Sequence, residues 1–512
     1  MENKAFKLVT GHPYITCAVI CVLVWILTGG STFLIRDCGL STKTQMICYM
    51  AVMGITMAAS VILAIMRKLS VRSGVLLIMT GGFFARLWTA LYATTGMGYQ
   101  HDFGNFDYNL ENAVHDNYIL YLLKNHSLPD FDFRGTGQFY HPPLHHTISA
   151  IAIKINQLVF PSRADNYELL MCISLFYSLA ILILIYKILK LFGFDGMSLI
   201  ASMCLASFYP AMIIGAGQIN NDPLATLLSV AAFYHAIKWY REREWKEIIY
   251  VALCIGFAMM TKLSSGLIAF PVGFIFLAAL IKEKGRGKKI WSQFCVFAAI
   301  VFPLGLWFPI RNYIKWGIPP TYVFDLGIIP NQDLSGYSLL ERLFGVSEVS
   351  LSIPFCVYDV TYKDFNIFML LYKTSLFDDL DHHDKLFFTI LATLIFIIGL
   401  TVILVLVTGF VKMIRKVIKE HSAEYMAVVI LLFTELISII IFAMKYPLIC
   451  SVNFRYIFVT VISFTLSSAL FFRKTENEYL VLIQRISVGV IASFSLLSVI
   501  FYATEWMAMP FF

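Results

Sequence analysis

The sequence predicts an all-helical protein that crosses a membrane many times. Of its 512 residues, 59% are hydrophobic and only 14% are charged, and the mean hydropathy is +0.76. These values lie far outside the range of water-soluble domains. A helix needs about 20 apolar residues to cross the hydrocarbon core, so the chain holds enough apolar residues for about a dozen spans. A soluble enzyme, a nucleic-acid-binding protein and a disordered scaffold are therefore excluded.

Hydropathy along the chain indicates about 13 transmembrane helices. The predicted spans are residues 13–35, 46–66, 74–95, 168–190, 196–217, 223–239, 247–261, 263–281, 290–309, 386–411, 425–444, 456–472 and 486–503. The first apolar run is longer than the core of a signal peptide. We therefore predict that it is a retained first span.

Basic residues collect on one side of this predicted bundle. With the N-terminus inside, the short inner segments hold clusters such as Lys238 to Lys246, Lys282 to Lys289 and Lys412 to Lys419. This bias follows the positive-inside rule and predicts a C-terminus on the outer side. It also accounts for much of the net charge of +7, which therefore says little about the substrate.

Two predicted outer segments, residues 96–167 and 310–385, are too long to be simple connections. In the first, residues 106–125 and 143–160 have the apolar spacing of helices that lie along the membrane surface. Alternatively, residues 143–160 form a further span, which would invert the charge pattern that follows. We divide the chain into two N-terminal spans (1–73), a core module that includes the first outer loop (74–309), a large outer loop (310–385) and the C-terminal spans (386–512).

Short polar motifs stand at the predicted outer ends of the helices. They are QHDFGNFD at 100–107, FYHPPLHH at 139–146, INNDP at 219–223, TK at 261–262, RNYIKWG at 311–317, YKTSLFDD at 372–379 and NFRY at 453–456. Signatures of soluble enzymes such as GxGxxG, GxSxG and HExxH are absent from the sequence. All seven motifs fall on the same predicted side of the membrane, which favours a site at that surface.

The order of these motifs resembles bacterial membrane glycosyltransferases of the GT-C fold, in particular the glycosyltransferase family 39, lipid A aminoarabinose transferase and protein O-mannosyltransferase group. The resemblance extends over about residues 74–460. It implies a GT-C bundle that transfers a hexosyl or pentosyl group from a polyprenyl-phosphate donor, with inversion at the anomeric carbon. The acceptor would be a glycan, lipid or protein at the extracytoplasmic face of the cell membrane. The first loop has HDFGNFD where the protein O-mannosyltransferases have an adjacent Asp-Glu pair, so the sugar and the acceptor stay open.

The chemistry of such a transfer requires few groups. A lipid phosphate leaves as an anion without a general acid, whereas the attacking hydroxyl needs a base. Asp102 directly follows the third predicted span, as the catalytic carboxylate does in the family, and we predict that it is the general base. A structural role is the alternative, in which Asp102 caps the surface helix or pairs with Arg86.

Four cations are predicted to contact the donor phosphate. Lys262, Arg311 and Arg455 stand at outer helix ends, where they can reach a phosphate at headgroup depth. Arg86 lies inside the third predicted span, where a lone charge generally faces a cavity or a partner. The alternatives are interfacial anchoring of the three outer cations and a structural ion pair for Arg86. Glu435 also lies inside a span, and the sequence assigns it no partner.

The remaining polar residues of the motifs are predicted to bind substrate. They are Tyr140, His141, His145, Asn220, Asn221, Asp222 and Tyr456. Asp222 precedes Pro223 and therefore also fits a helix N-cap. His141 and His145 have the spacing of a metal site on a helix, but Pro142 and Pro143 interrupt that helix. We therefore expect turnover without a cofactor or bound metal, although a divalent ion is the open alternative.

The main competing function is a multi-span transporter or flippase of a lipid-linked or polar solute. Transporters are usually built from paired repeats with broken helices around a site at the membrane midplane. This sequence shows no internal repeat, and its polar motifs gather at one face. It therefore favours a glycosyltransferase over a transporter, and also over a non-catalytic membrane scaffold.

Overall fold

The computed structural model describes residues 11–37, 41–66, 68–92, 114–159, 161, 170–283, 287–358, 363–379 and 385–505. In chain order the α-helices are α1 Pro13–Asp37, α2 Thr42–Ile65, α3 Val71–Tyr92, α4 His115–Asn125, α5 Leu144–Val159, α6 Met171–Leu191, α7 Gly196–Phe208, α8 Pro210–Ile214, α9 Asp222–Glu242, α10 Trp245–Thr261, α11 Ala269–Lys282, α12 Lys288–Trp316, α13 Leu339–Phe344, α14 Glu348–Ser352, α15 Ile367–Phe377, α16 Leu386–Glu420, α17 Ala423–Lys445, α18 Val461–Phe471 and α19 Glu478–Thr504. Short 3-10 helices cover Gly137–Tyr140, Leu263–Ile268, Ile449–Ser451 and Phe454–Thr460.

The predicted all-helical membrane architecture is confirmed. Every predicted apolar span coincides with at least one helix, and β-pairing within the described residues is limited to two isolated bridges. Eight helical segments of this part of the chain are long and apolar enough to cross a membrane. Several of the remaining apolar helices are shorter, so the count of about 13 spans stays a prediction.

The inner ends predicted from charge meet at one end of the bundle. Arg241 at the end of α9 donates to Glu424 at the start of α17, with a nitrogen–oxygen distance of 2.6 Å. The carbonyl of Phe471, the last residue of α18, accepts hydrogen bonds from Lys412 of α16 and Gln484 of α19. These contacts join segments that the charge pattern places on the same side. The cytoplasmic location of this end stays a prediction from the positive-inside rule.

Helix α6 forms the centre of a core that reaches from α1 to α19. Most of its side chains are buried, because it is apolar on all sides and surrounded by other helices. Close helix approach elsewhere depends on small residues, as between α16 and α18. A Cβ atom on Gly409 would overlap the carbonyl of Ser467. This glycine is therefore required where the two helices touch.

The two helices predicted in the first outer loop are present as α4 and α5. Residues 106–113 of the first predicted helix lie outside the described residues. Helix α5 buries His145, His146 and Asn156 against the protein, and it exposes apolar side chains such as Ile151 and Leu158. Its 16 residues extend about 24 Å, less than the thickness of the hydrocarbon core. This arrangement suits a helix that packs on the bundle and touches lipid with its apolar side.

Arg86, which is predicted to contact the donor phosphate, is held by protein groups in the structure. Its side chain is fully buried, and its guanidinium donates to the carbonyls of Ala206 and Ser207, to the carbonyl of Gly82 and to Ser178 Oγ. Ala206 and Ser207 lie in the last turn of α7, whose carbonyls have no partner within their own helix. Arg86 therefore caps α7.

We expect Arg86→Met to destabilise the protein and to leave donor affinity unchanged where the variant folds. The substitution leaves buried carbonyl groups without donors, which should lower the free energy of unfolding in detergent by about 2 kcal/mol. The matched control is Arg485→Met, because Arg485 is exposed on α19 and its replacement should change stability by less than about 0.5 kcal/mol. Normal stability combined with lost donor binding would restore the role predicted from the sequence.

Candidate functional site

A cavity of about 1110 Å³ lies at the end of the bundle where the polar motifs gather. Residues 318–328 form one wall, and the start of α9, the end of α10 and the outer half of α17 form others. The motifs contribute Tyr140, His141, Asn221, Asp222, Lys262, Asn312, Asp379, Arg455 and Tyr456 to its surface. Six of the seven predicted motifs thus meet in a single cavity, although they are far apart in the sequence.

The centre of the cavity contains two cations and a carboxylate. Lys262 at the end of α10 forms an ion pair with Asp222 at the start of α9. Arg455, from the 3-10 helix Phe454–Thr460, places its Nε atom 3.8 Å from the other carboxylate oxygen. The side chains of Asp222 and Arg455 are each 6% exposed and that of Lys262 is 16% exposed. Because the positive charges outnumber the negative charge, this cluster suits an anion.

Tyr456 joins this cluster through its ring and its hydroxyl. Lys262 Nζ lies 4.6 Å and the Arg455 guanidinium carbon 5.1 Å from the centre of the Tyr456 ring. Arg455 also donates a hydrogen bond of 3.2 Å to the Tyr456 hydroxyl. Both cations are held by an aromatic ring as well as by Asp222, which limits their motion.

Asn220 and Asn221 shape the turn that presents Asp222. The Asn220 side chain accepts from the backbone N–H of Asp222 at 3.0 Å, and Asn221 donates to the Thr261 carbonyl at 3.2 Å. Asn221 lines the cavity, whereas Asn220 is not part of its lining. The Asp222 carboxylate faces the two cations, so the alternative of an N-cap role is not what the structure shows.

Arg311, a further predicted phosphate-binding residue, does not line the cavity that Lys262 and Arg455 line. Its guanidinium donates to the Pro129 carbonyl at 2.6 Å and to Asp130 at 3.3 Å. It also lies 4.9 Å from the Trp316 ring. Its neighbour Asn312 lines the cavity instead. Arg311 therefore fastens α12 to the first outer loop.

The predicted histidines lie in the cavity wall and behind it. His141 lines the cavity and its ring is stacked on that of His115, while His145 is buried in the first turn of α5. Burial and the nearby His115 lower the pKa of His145 to about 3. Burial, His115, Lys262 and Arg455 likewise lower the pKa of His141. Both rings are thus neutral at physiological pH, and His141, which lines the cavity, can form hydrogen bonds with hydroxyl groups of a ligand without adding charge.

The prolines interrupt the histidine pair as predicted. His141 has an extended backbone, with φ −68° and ψ 143°, and α5 begins only at Leu144. Within the described ranges, His, Cys, Asp and Glu side chains form no group with the geometry of a metal site. Metal dependence itself stays a prediction.

The structure adds residues that the sequence reasoning did not select. Tyr358 donates to Asp379, and both line the cavity. Asp378 has a positive φ of 51° and accepts hydrogen bonds from Gln218 and Asn453. The acidic pair that ends YKTSLFDD was a visible signal. Through these two aspartates the motif is joined to the segments that contain Gln218, Tyr358 and Asn453.

Asp102, the predicted general base, lies outside the described residues, as do all residues of 93–113. This segment connects α3, which ends at Tyr92, to α4, which begins at His115. His115 lines the cavity. The role of Asp102 therefore stays a prediction from the sequence.

Comparison with known proteins gives one family match. The family model described as dolichyl-phosphate-mannose-protein mannosyltransferase matches residues 140–307, which include Asp222 and Lys262. A comparison with curated proteins finds no match. The family match confirms, for this stretch, the resemblance to membrane glycosyltransferases that the motifs predicted.

Among solved structures, the chain is similar to the Archaeoglobus fulgidus oligosaccharyltransferase. The apo form is 12% identical, with a TM-score of 0.48, and the match covers 84% of this chain and 56% of that one. The complex with Zn and sulfate is 13% identical, with a TM-score of 0.46, and the match covers 83% and 53%. The chain thus spans about half the length of these structures.

Proposed function

We propose that this protein is a membrane glycosyltransferase that moves a sugar from a polyprenyl-phosphate donor to a hydroxyl group of an acceptor at the extracytoplasmic face. The observation that carries the proposal is the convergence of Lys262 and Arg455 on Asp222 inside the cavity. The family match over residues 140–307 supports the same class of reaction.

Lys262 and Arg455 are assigned to the donor phosphate. They come from different segments, are largely buried and are already held by Asp222 and Tyr456. Fixed cations in a site of reduced dielectric stabilise the negative charge that develops on the departing phosphate, and they need little reorganisation during the reaction. Asp222 keeps the two cations in position.

The proposed transfer is a single displacement with inversion. The acceptor oxygen forms a bond to the anomeric carbon while the bond from that carbon to the phosphate oxygen breaks. The electron pair leaves with the polyprenyl phosphate, and a carboxylate takes the proton of the acceptor hydroxyl. We assign that carboxylate to Asp102. The aromatic and neutral polar residues Tyr140, His141 and Asn221 would contact the sugar or the acceptor.

The direct test uses purified protein in detergent with a panel of radiolabelled polyprenyl-phosphate sugars. We expect release of labelled sugar to water or to an added acceptor from at least one donor, and we expect a double Lys262→Ala and Arg455→Ala variant to lose it. A transporter or flippase would bind or move the intact donor in vesicles and release no sugar. Donor movement without sugar release would therefore overturn the proposal.

A further inference from the structure

Glu435 is a buried carboxyl group to which the proposed phosphate chemistry gives no task. It lies in the middle of the apolar span α17, its residue is 5% exposed, and it lines the cavity. A charge inside a span is expensive and generally serves a ligand or a partner. Within the described part of the chain, Glu435 has neither a hydrogen bond nor an ion pair. Lys262 is close enough for its charge to act on Glu435.

Glu435 marks a deep, polar end of the cavity. It lies ten residues before Lys445, the end of α17, and therefore about 15 Å further into the bundle. Ser438 is on the same face of α17 and also lines the cavity. Thr226 and Ser229 continue the lining of α9 inward from Asp222. Polar groups thus line the cavity inward to about the middle of α17.

The chemistry of this inner end fits a sugar. An acyl or isoprenoid chain would leave the carboxyl without a hydrogen-bonding partner, which is costly in an apolar environment. A carboxyl group can form hydrogen bonds with two hydroxyl groups in either protonation state, and Ser438 and Thr226 offer further donors and acceptors. The sugar is attached directly to the phosphate, so a phosphate at Lys262 and Arg455 leaves the sugar near this end.

We propose that Glu435 binds hydroxyl groups of the donor sugar. This inference rests on the proposed function and deepens it.

The test compares two ligands in equilibrium binding: the polyprenyl-phosphate sugar that the wild type uses best, and polyprenyl phosphate without sugar. We expect Glu435→Leu to weaken binding of the sugar donor at least tenfold and Glu435→Gln to weaken it less. The affinity of both variants for the sugar-free phosphate should stay within about twofold of the wild type. Glu424→Gln is the matched control, because Glu424 lies on the same helix but pairs with Arg241 at the opposite end of the bundle. It should change neither affinity.

Equal losses for both ligands would overturn the inference, and so would unchanged binding of the sugar donor. If Glu435→Leu does not fold, Glu435→Gln and Ser438→Ala decide the question through the same pair of affinities. A wild-type protein that transfers sugar while Glu435→Gln and Glu435→Leu bind donor normally would refute this inference alone, whereas a wild type that cleaves no donor refutes the proposed function.

Discussion

Replacement of Asp102 by Asn is expected to slow sugar transfer at least a hundredfold while the protein still folds and binds donor. Loss of a general base typically costs about 10² to 10⁴ in rate, because the attacking hydroxyl must then lose its proton without help. An amide has nearly the same size as a carboxyl group, so the substitution removes the proton acceptor and little else. The measurement is single-turnover transfer at saturating donor, with donor affinity determined separately.

Asp107→Asn is the matched control for Asp102→Asn. Both residues belong to the motif HDFGNFD, and the interpretation of that motif places the base at its first aspartate. We expect the control to change the rate by less than about threefold. The opposite order of effects would move the base to Asp107. Loss of folding in Asp102→Asn would instead support a structural role, such as capping the surface helix.

Removal of Lys262 or Arg455 should weaken donor binding by about 10- to 100-fold. A hydrogen bond between charged groups contributes about 1.5 to 3 kcal/mol, which corresponds to this range of affinity. Loss of one cation also leaves Asp222, which is itself buried, facing the phosphate with less compensation. The measurement is the equilibrium affinity of Lys262→Ala and Arg455→Ala for a polyprenyl-phosphate sugar, together with melting temperature in detergent.

Arg311→Ala distinguishes the phosphate site that the cavity indicates from the one predicted from the sequence, which includes Arg311. Arg311 carries the same charge at the same end of the bundle, but it contacts Pro129, Asp130 and Trp316 instead of the cavity. We expect its donor affinity to stay within about threefold of the wild type. A loss as large as that of Arg455→Ala would show that the sequence was right about Arg311 and that the phosphate binds elsewhere.

Helix positions and their sorting into two ends of the bundle could be predicted from the sequence, because both depend on composition. Burial in lipid requires a continuous apolar segment, and the spans can therefore be located by hydropathy alone. Basic residues mark one set of helix ends, and the contact between Arg241 and Glu424 joins two of them. The polar motifs mark the other set, and six of the seven contribute to one cavity.

The task of each charged residue depended on the tertiary structure. Arg86, Arg311 and Arg455 have the same side chain, yet the first caps α7, the second fastens the first outer loop and the third reaches Asp222 in the cavity. No local pattern distinguishes them, because the partner of each guanidinium comes from a segment far away in the chain. The energy of a charge in a membrane protein is set by the groups within a few ångströms, and only the packing of the helices determines which groups those are.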